Sequence, residues 1–157
     1  MLFLFHFSAL SVLPFWAAMI FFPRARLTAR LVATPWIVLP AALCYVAFAA
    51  PHARELMSVF ASPSPESLAT VMGQPWAASM FWAYAGAFDL FVGRWIHLDA
   101  REREIRHAVV APVLGICIFF GPIGFTVYAV VRALTRHDRG KRSKAVSCAS
   151  CSEASMP

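Results

Sequence analysis

Asp89 is an acid inside a long apolar run, and Arg94, Trp95, His97 and Asp99 follow it within ten positions. The stretch is Phe88-Asp89-Leu90-Phe91-Val92-Gly93-Arg94-Trp95-Ile96-His97-Leu98-Asp99. It sets an acid, a base and a glycine among side chains that belong in lipid or a core. A carboxyl group at the middle of a bilayer costs roughly 2.5–3.5 kcal/mol on insertion scales. Such a group is expected to take a proton, find a partner or reach water. Two readings stay open for Asp89. It binds or acts on something, or it holds helices together.

Helical geometry limits the partners. On a helix of 3.6 residues per turn, Trp82, Ala85, Gly86, Gly93 and Ile96 fall on or near the face of Asp89. Glycine and alanine there allow another helix or a flat ligand to approach closely. Arg94 is five positions from Asp89 and points roughly 140° away, so an intrahelical pair is not expected. Arg94 also lies within about one turn of the expected segment end, where it can extend toward the interface.

The elements that carry these residues follow from composition. Hydrophobic residues make up 60% of the 157 and charged ones 14%, against about 45–50% and about 25% in a soluble domain. The mean hydropathy of +0.65 agrees. One all-α domain is expected, a four-helix transmembrane bundle over residues 1–136 with a short basic tail over 137–157. The apolar segments of spanning length are 2–22, 31–50, 76–98 and 108–131. At 1.5 Å per residue, Asp89 stands about 20 Å from Trp76 and about 15 Å from Asp99, near mid-depth. The start lacks a basic region, so the first segment is expected to be retained. Pro51 is expected to close the second segment. Ser64 or Ser67 is expected to cap a short surface helix in the connection that follows. In the fourth segment Pro122 is expected to kink the helix, with Gly121 and Gly124 packing at the kink.

The net charge of +6 does not indicate nucleic acid, because the charges fall between apolar runs and in the tail. The charged connection Asp99 to His107 reads as solvated. Trp36 and Trp76 sit near expected segment ends as interface anchors. Basic residues divide almost evenly between the two sides of a four-helix arrangement, so orientation stays open. Cys44 and Cys117 read as small buried hydrophobes. Cys148 and Cys151 have redox or metal spacing without a second pair, and read as incidental. The histidines, His6, His52, His97, His107 and His137, are scattered singly, and no metal is expected.

The stretch from Phe88 to Asp99, with Trp82 ahead of it and Phe120-Gly-Pro-Ile-Gly-Phe-Thr-Val-Tyr128 in the last segment, resembles the neoxanthin-synthase-like membrane family. This is the family of the plant abscisic-acid-deficiency membrane protein, which has many bacterial members. The resemblance covers residues 1 to about 136. It implies a multi-pass integral protein, in a bacterial cytoplasmic (inner) membrane for a bacterial-type member, and a carotenoid or related isoprenoid ligand. It implies site residues at Trp82, Asp89, Gly93, Arg94, Trp95, Asp99, Gly121 and Pro122. The plant reaction opens an epoxide and removes a polyene proton to give an allene. By that resemblance Asp89 would be the acid, with Tyr84 or His97 assisting, and the tryptophans and phenylalanines would line a slot for the polyene. Such an isomerisation needs no cofactor. The family pattern is expected to have histidine where this chain has Tyr84. A non-catalytic protein binding a lipid or a partner complex, and a proton relay through Asp89, stand as alternatives.

Overall fold

A proline-free run from Trp76 to Glu102, mostly apolar as far as Leu98, makes the longest element, α6 (Pro75–Glu102). Its 28 residues span about 42 Å. The structure, a computed structural model, describes residues 1–135. Among them all regular structure is helical. The other elements are α1 (Leu2–Phe21), α2 (Arg26–Ala33), α3 (Leu39–Ala49), α4 (Ala53–Ala61), α5 (Pro65–Met72) and α7 (His107–Phe119). Residues 121–135 form a further helix, α8. The tail expected over 137–157, with His137, Cys148 and Cys151, lies outside the described residues.

Every long element packs on α6. Phe5 of α1 meets Trp82, and Trp16 lies on Gly93, so α1 runs parallel to α6. Arg94 reaches Ala33, Tyr45 meets Tyr84, and His52 stacks on Trp76, so the path from α2 to α4 runs antiparallel to it. The buried side chains Val12, Trp16, Val32, Ile37, Leu90, Ile96, Leu114 and Tyr128 belong to one cluster shared by these layers. Trp76 belongs to a second cluster, under His52, and is buried rather than placed as an exposed anchor.

The second segment is not one helix from 31 to 50. Pro35 disfavours helical backbone at Thr34, which is extended at φ −103° and ψ 146°. A 3-10 turn (Pro35–Val38) then leads into α3. Pro51 does not close the segment. It sits at the start of a second 3-10 turn (Ala50–His52), where its missing N–H is not needed, and α4 continues to Ala61. The helical stretches Leu2–Phe21 and Pro35–Ala61 are long and apolar enough to cross a membrane. The Ser64 cap is present. Its hydroxyl accepts from the Ser67 amide at 3.1 Å, and the Ser67 hydroxyl accepts from the Ser64 amide at 3.2 Å.

The fourth segment departs most from expectation. In place of one kinked helix over 108–131, the chain reverses direction at Phe120. α7 leaves the C-terminal end of α6 and runs back along it. α8 then runs forward again. Gly121 lies against Asp89, Trp95 meets Phe125 and Tyr128, and Asp99 meets Tyr128 and Arg132. These pairs advance together along both chains, so α8 is parallel to α6 and antiparallel to α7. α7 is only about 20 Å long. The two helices form a hairpin whose tip stands beside the middle of α6.

The reversal needs two glycines. A Cβ on Gly121 would collide with the Asp89 carboxylate. A Cβ on Gly124 would stand 2.8 Å from the Cys117 amide nitrogen and 2.9 Å from its Cα. Gly115, by contrast, has nothing within 4 Å of such a Cβ. Gly124→Ala is therefore expected to destabilise the purified protein by about 1–3 kcal/mol, as overpacking does. Gly115→Ala, in the same hairpin, is expected to be neutral or to stabilise by up to about 1 kcal/mol. Thermal unfolding in detergent, followed by circular dichroism, measures both.

Candidate functional site

The residues singled out from the sequence separate into four places. The first is the hairpin tip. Asp89, half-buried on α6, faces the point where α7 ends and α8 begins. Cys117 is beside it and donates from Sγ to the Gly121 carbonyl at 3.7 Å. Pro122 has no N–H to leave unpaired at the start of α8. The Asp89 carboxyl thus stands at the positive end of a helix, a favourable place for an acid. Among the described residues no side chain is recorded hydrogen-bonding to Asp89. The exposed rings of Phe88, Phe119 and Phe120 surround this level.

Toward Pro75 from this level, α7 and α8 no longer cover α6. One stripe of the helix is left open there. Phe81, Tyr84 and Phe88 are all exposed along it. Tyr84 stacks on Phe88 at 5.9 Å, with Phe81 at 6.4 Å and Tyr45 of α3 at 6.1 Å. Trp82, also exposed, points to another side, against Phe5. Phe81, Tyr84 and Phe88 thus make one contiguous aromatic face on this side of α6.

The second place is the far end of α6. Asp99 is buried to 9% exposure. Its Oδ2 accepts from Tyr128 Oη at 2.7 Å and Arg103 Nε at 2.7 Å, and Arg132 Nε is 3.2 Å away. Arg132 also lies over the Trp95 ring, 5.4 Å from its centroid, and Trp95 meets Tyr128 edge-on. Partial burial pushes the Asp99 carboxyl up. The hydrogen bonds from Arg103 and Tyr128, with the nearby Arg132 charge, outweigh burial and hold it below its ordinary value. The charged connection is thus partly structural. α6 runs on to Glu102, and Arg103 bonds back one turn to Asp99.

The third place is the break between α2 and α3. Arg94 does not extend outward. Its Nε donates to the Val32 carbonyl at 2.8 Å and its Nη2 to the Ala33 carbonyl at 3.0 Å, which are freed by the break at Thr34. Gly93 beside it receives the Trp16 indole, whose Cζ3 would lie 2.6 Å from an added Cβ. Arg94 is thus committed to these carbonyls. The fourth place is His97, 2% exposed in the interior with no recorded partner for Nε2.

The implied site is therefore not one constellation. The structure brings Asp89 and Gly121 together, and it brings Trp95 and Asp99 together. It leaves Tyr84 on the open stripe and His97 in the core. Tyr128, Arg103, Arg132, Trp16 and Cys117 were not singled out as site residues. Arg103 was readable from its i, i+4 spacing to Asp99. Arg132 and Tyr128 reach Asp99 only through the reversal at Phe120. Among the described residues no three His, Cys, Asp or Glu side chains form a metal-holding group.

These features define an all-helical protein with apolar helices of spanning length and a half-length helical hairpin closed on a carboxyl group. A family profile described as ABA DEFICIENT 4-like matches residues 3–128, and the chain belongs to that family. Over 132 residues it is 26% identical to Protein ABA DEFICIENT 4, chloroplastic, from Arabidopsis thaliana. That alignment takes in 79% of this chain and 58% of the plant protein, so the chain spans less than two thirds of this relative. No solved structure matches the chain significantly.

The Asp99 cluster gives a pH test. A carboxyl held below its ordinary value of about 3.9 stabilises the fold at every pH above that value. The contribution is lost as acid titrates the folded group at still lower pH. Tyr128→Phe removes a hydrogen bond to the carboxylate and raises the folded value. Acid unfolding should then set in at higher pH, and stability at neutral pH should fall by about 1.5–3 kcal/mol. Tryptophan fluorescence during acid titration reads both. An unchanged acid midpoint would contradict the assignment.

Proposed function

We propose that the chain is a multi-pass membrane protein that binds a long isoprenoid lipid along the open aromatic stripe of α6, with Asp89 meeting its oxygenated end. One observation carries this reading. The hairpin stops at mid-depth, so a carboxyl group and the uncovered rings of Tyr84 and Phe88 share the level where α6 becomes open. A rigid polyene lies well against flat rings. Family membership favours a carotenoid or related isoprenoid, and a bacterial cytoplasmic membrane is the host membrane that the resemblance suggests.

The chemistry this arrangement can support is an isomerisation without a cofactor. Asp89, in its protonated form, gives its proton to an epoxide oxygen as the C–O bond opens. A base nearby then takes a proton from the polyene. Of the two assisting candidates, Tyr84 is the one that lies on the stripe. His97, enclosed in the interior, is a packing residue in this reading. Trp95, Asp99 and Arg94 position helices rather than touch the ligand.

The placement of Asp89 at the start of α8 favours a second, non-catalytic reading. There the carboxyl serves the reversal, and the protein binds its lipid without changing it. Asp89→Asn separates the two, because asparagine keeps the size and an acceptor but cannot supply the proton. In a carotenoid-making host deleted for this gene, the wild-type chain should alter the pigment profile. Asp89→Asn should remain in the membrane fraction, and the profile should stay that of the deletion strain. A profile restored by Asp89→Asn would exclude the acid role and leave the binding one.

The hairpin also sets the crossings. α1, the α2–α4 path and α6 cross, while α7 and α8 enter and leave on one side. Arg24, Arg26, Arg30, Arg101, Arg103, Arg106 and Arg132 then gather at one end, and Arg54 stands at the other. The positive-inside rule places the basic end in the cytoplasm and the N-terminus outside. Reporters in the α6–α7 loop and at the C-terminus should report the same side. Opposite sides would show a full fourth crossing.

A further inference from the structure

The basic end holds a cavity that neither reading of Asp89 uses. It lies between the α1–α2 turn and the start of α7, has a volume of about 520 Å³, and is lined by Phe21, Pro23, Arg24, Arg106, His107 and Ala108 among others. Its wall is pinned by the His107 ring, whose Nε2 is 2.8 Å from the Ile20 carbonyl. Two guanidinium groups therefore border one recess. Neither Arg24 nor Arg106 has a recorded carboxylate partner among the described residues. The nearest buried acid, Asp99, is already engaged by Arg103 and Arg132. Glu102, the last residue of α6, and Glu104, on the α6–α7 connection, do not line the cavity.

The backbone adds to this excess. Both helices that open on the cavity, α2 after Ala25 and α7 after Arg106, begin without a side-chain cap and without an acid in the first turn. Their first amides are left with positive character facing outward. Exposed Phe21 and Phe22 form the apolar rim on the α1 side. An occupant that satisfies these surroundings has a compact anionic head for the arginines and an apolar part for the phenylalanines.

We propose that this cavity binds a phosphate ester, and that the source its apolar rim favours is the headgroup of an anionic membrane phospholipid. Arg24 and Arg106 grip the phosphate oxygens, a geometry to which a planar guanidinium is suited. His107 keeps α7 against the end of α1 and so holds the recess open. The site rests on the membrane reading above, because only a chain embedded in the bilayer presents this end at headgroup depth. It is separate from the Asp89 level, and it fixes the α1–α2 turn to the α7 start through a shared lipid.

The test uses the full chain purified in a mild detergent. Binding of short-chain phosphatidylglycerol, phosphatidylcholine and inorganic phosphate is measured by native mass spectrometry and by the shift in thermal unfolding. The wild-type protein should bind phosphatidylglycerol more tightly than phosphatidylcholine. The double variant Arg24→Gln/Arg106→Gln should bind it at least about tenfold more weakly, as loss of charge-assisted bonds implies. Arg54→Gln, at the opposite end, should bind like the wild type. Equal phosphatidylglycerol binding by the double variant and the wild type would overturn the site. An equal response to inorganic phosphate alone would overturn the lipid source while supporting a phosphate site. Alkaline extraction of host membranes tests the underlying reading separately. Wild-type protein released by it would refute membrane embedding, whatever the lipid assay shows.

Discussion

A helix that stops in apolar surroundings leaves carbonyl and amide groups that nothing nearby will solvate. This chain stops its helices repeatedly, and at most stops a polar side chain meets the exposed backbone. Arg94 closes the end of α2 through the Val32 and Ala33 carbonyls. Thr28 bonds the Phe22 carbonyl at 2.7 Å after α1, and the His107 ring reaches Ile20 in the last turn. Cys117 bonds Gly121 at the reversal, where Asp89 also stands. Several polar groups that first read as candidates for chemistry are therefore committed to the backbone. Near the middle of α6, no such backbone bond is recorded for the Asp89 or Tyr84 side chain among the described residues.

The sequence made the helical class legible, because 60% apolar composition in runs of spanning length leaves few alternatives. The start of α6 and a cap at Ser64 or Ser67 were also readable from local pattern, but α6 runs past the expected end at 98 to Glu102. The breaks at Thr34 and Phe120 were not read correctly. Each involves a distant group that meets the chain at the break, Arg94 in one case and Asp89 in the other. Pro35 and Pro122 show where a helix can be interrupted. They do not say whether the chain then bends slightly or turns back.

The same limit applies to the candidate site. Asp89 and Gly121 were each visible as unusual residues for their surroundings, but their mutual approach depends on the reversal. Asp99 was visible as a charge at a segment end. Its hydrogen bond from Tyr128 and its ion pair with Arg132 come from residues 29 and 33 positions later, which a straight fourth helix would have carried to the opposite end. His97 and Tyr84, expected alike as residues assisting Asp89, lie in different surroundings. The imidazole, chemically the more versatile group at neutral pH, is enclosed, and the phenol faces outward on the stripe.

The half-length hairpin has a consequence for the lipid around the protein. Near the C-terminal end of α6, five helical segments share the cross-section: α1, α2, α6, α7 and α8. Near its N-terminal end α7 and α8 are missing, and the remaining segments are α1, the α3–α4 path, the short α5 and α6. Embedded in a bilayer, the molecule would be a wedge that displaces more area from one leaflet than from the other. Lateral pressure in the crowded leaflet would then act on the splay of α7 and α8, so membrane curvature and lipid shape would bear on how closely the hairpin tip is held to Asp89.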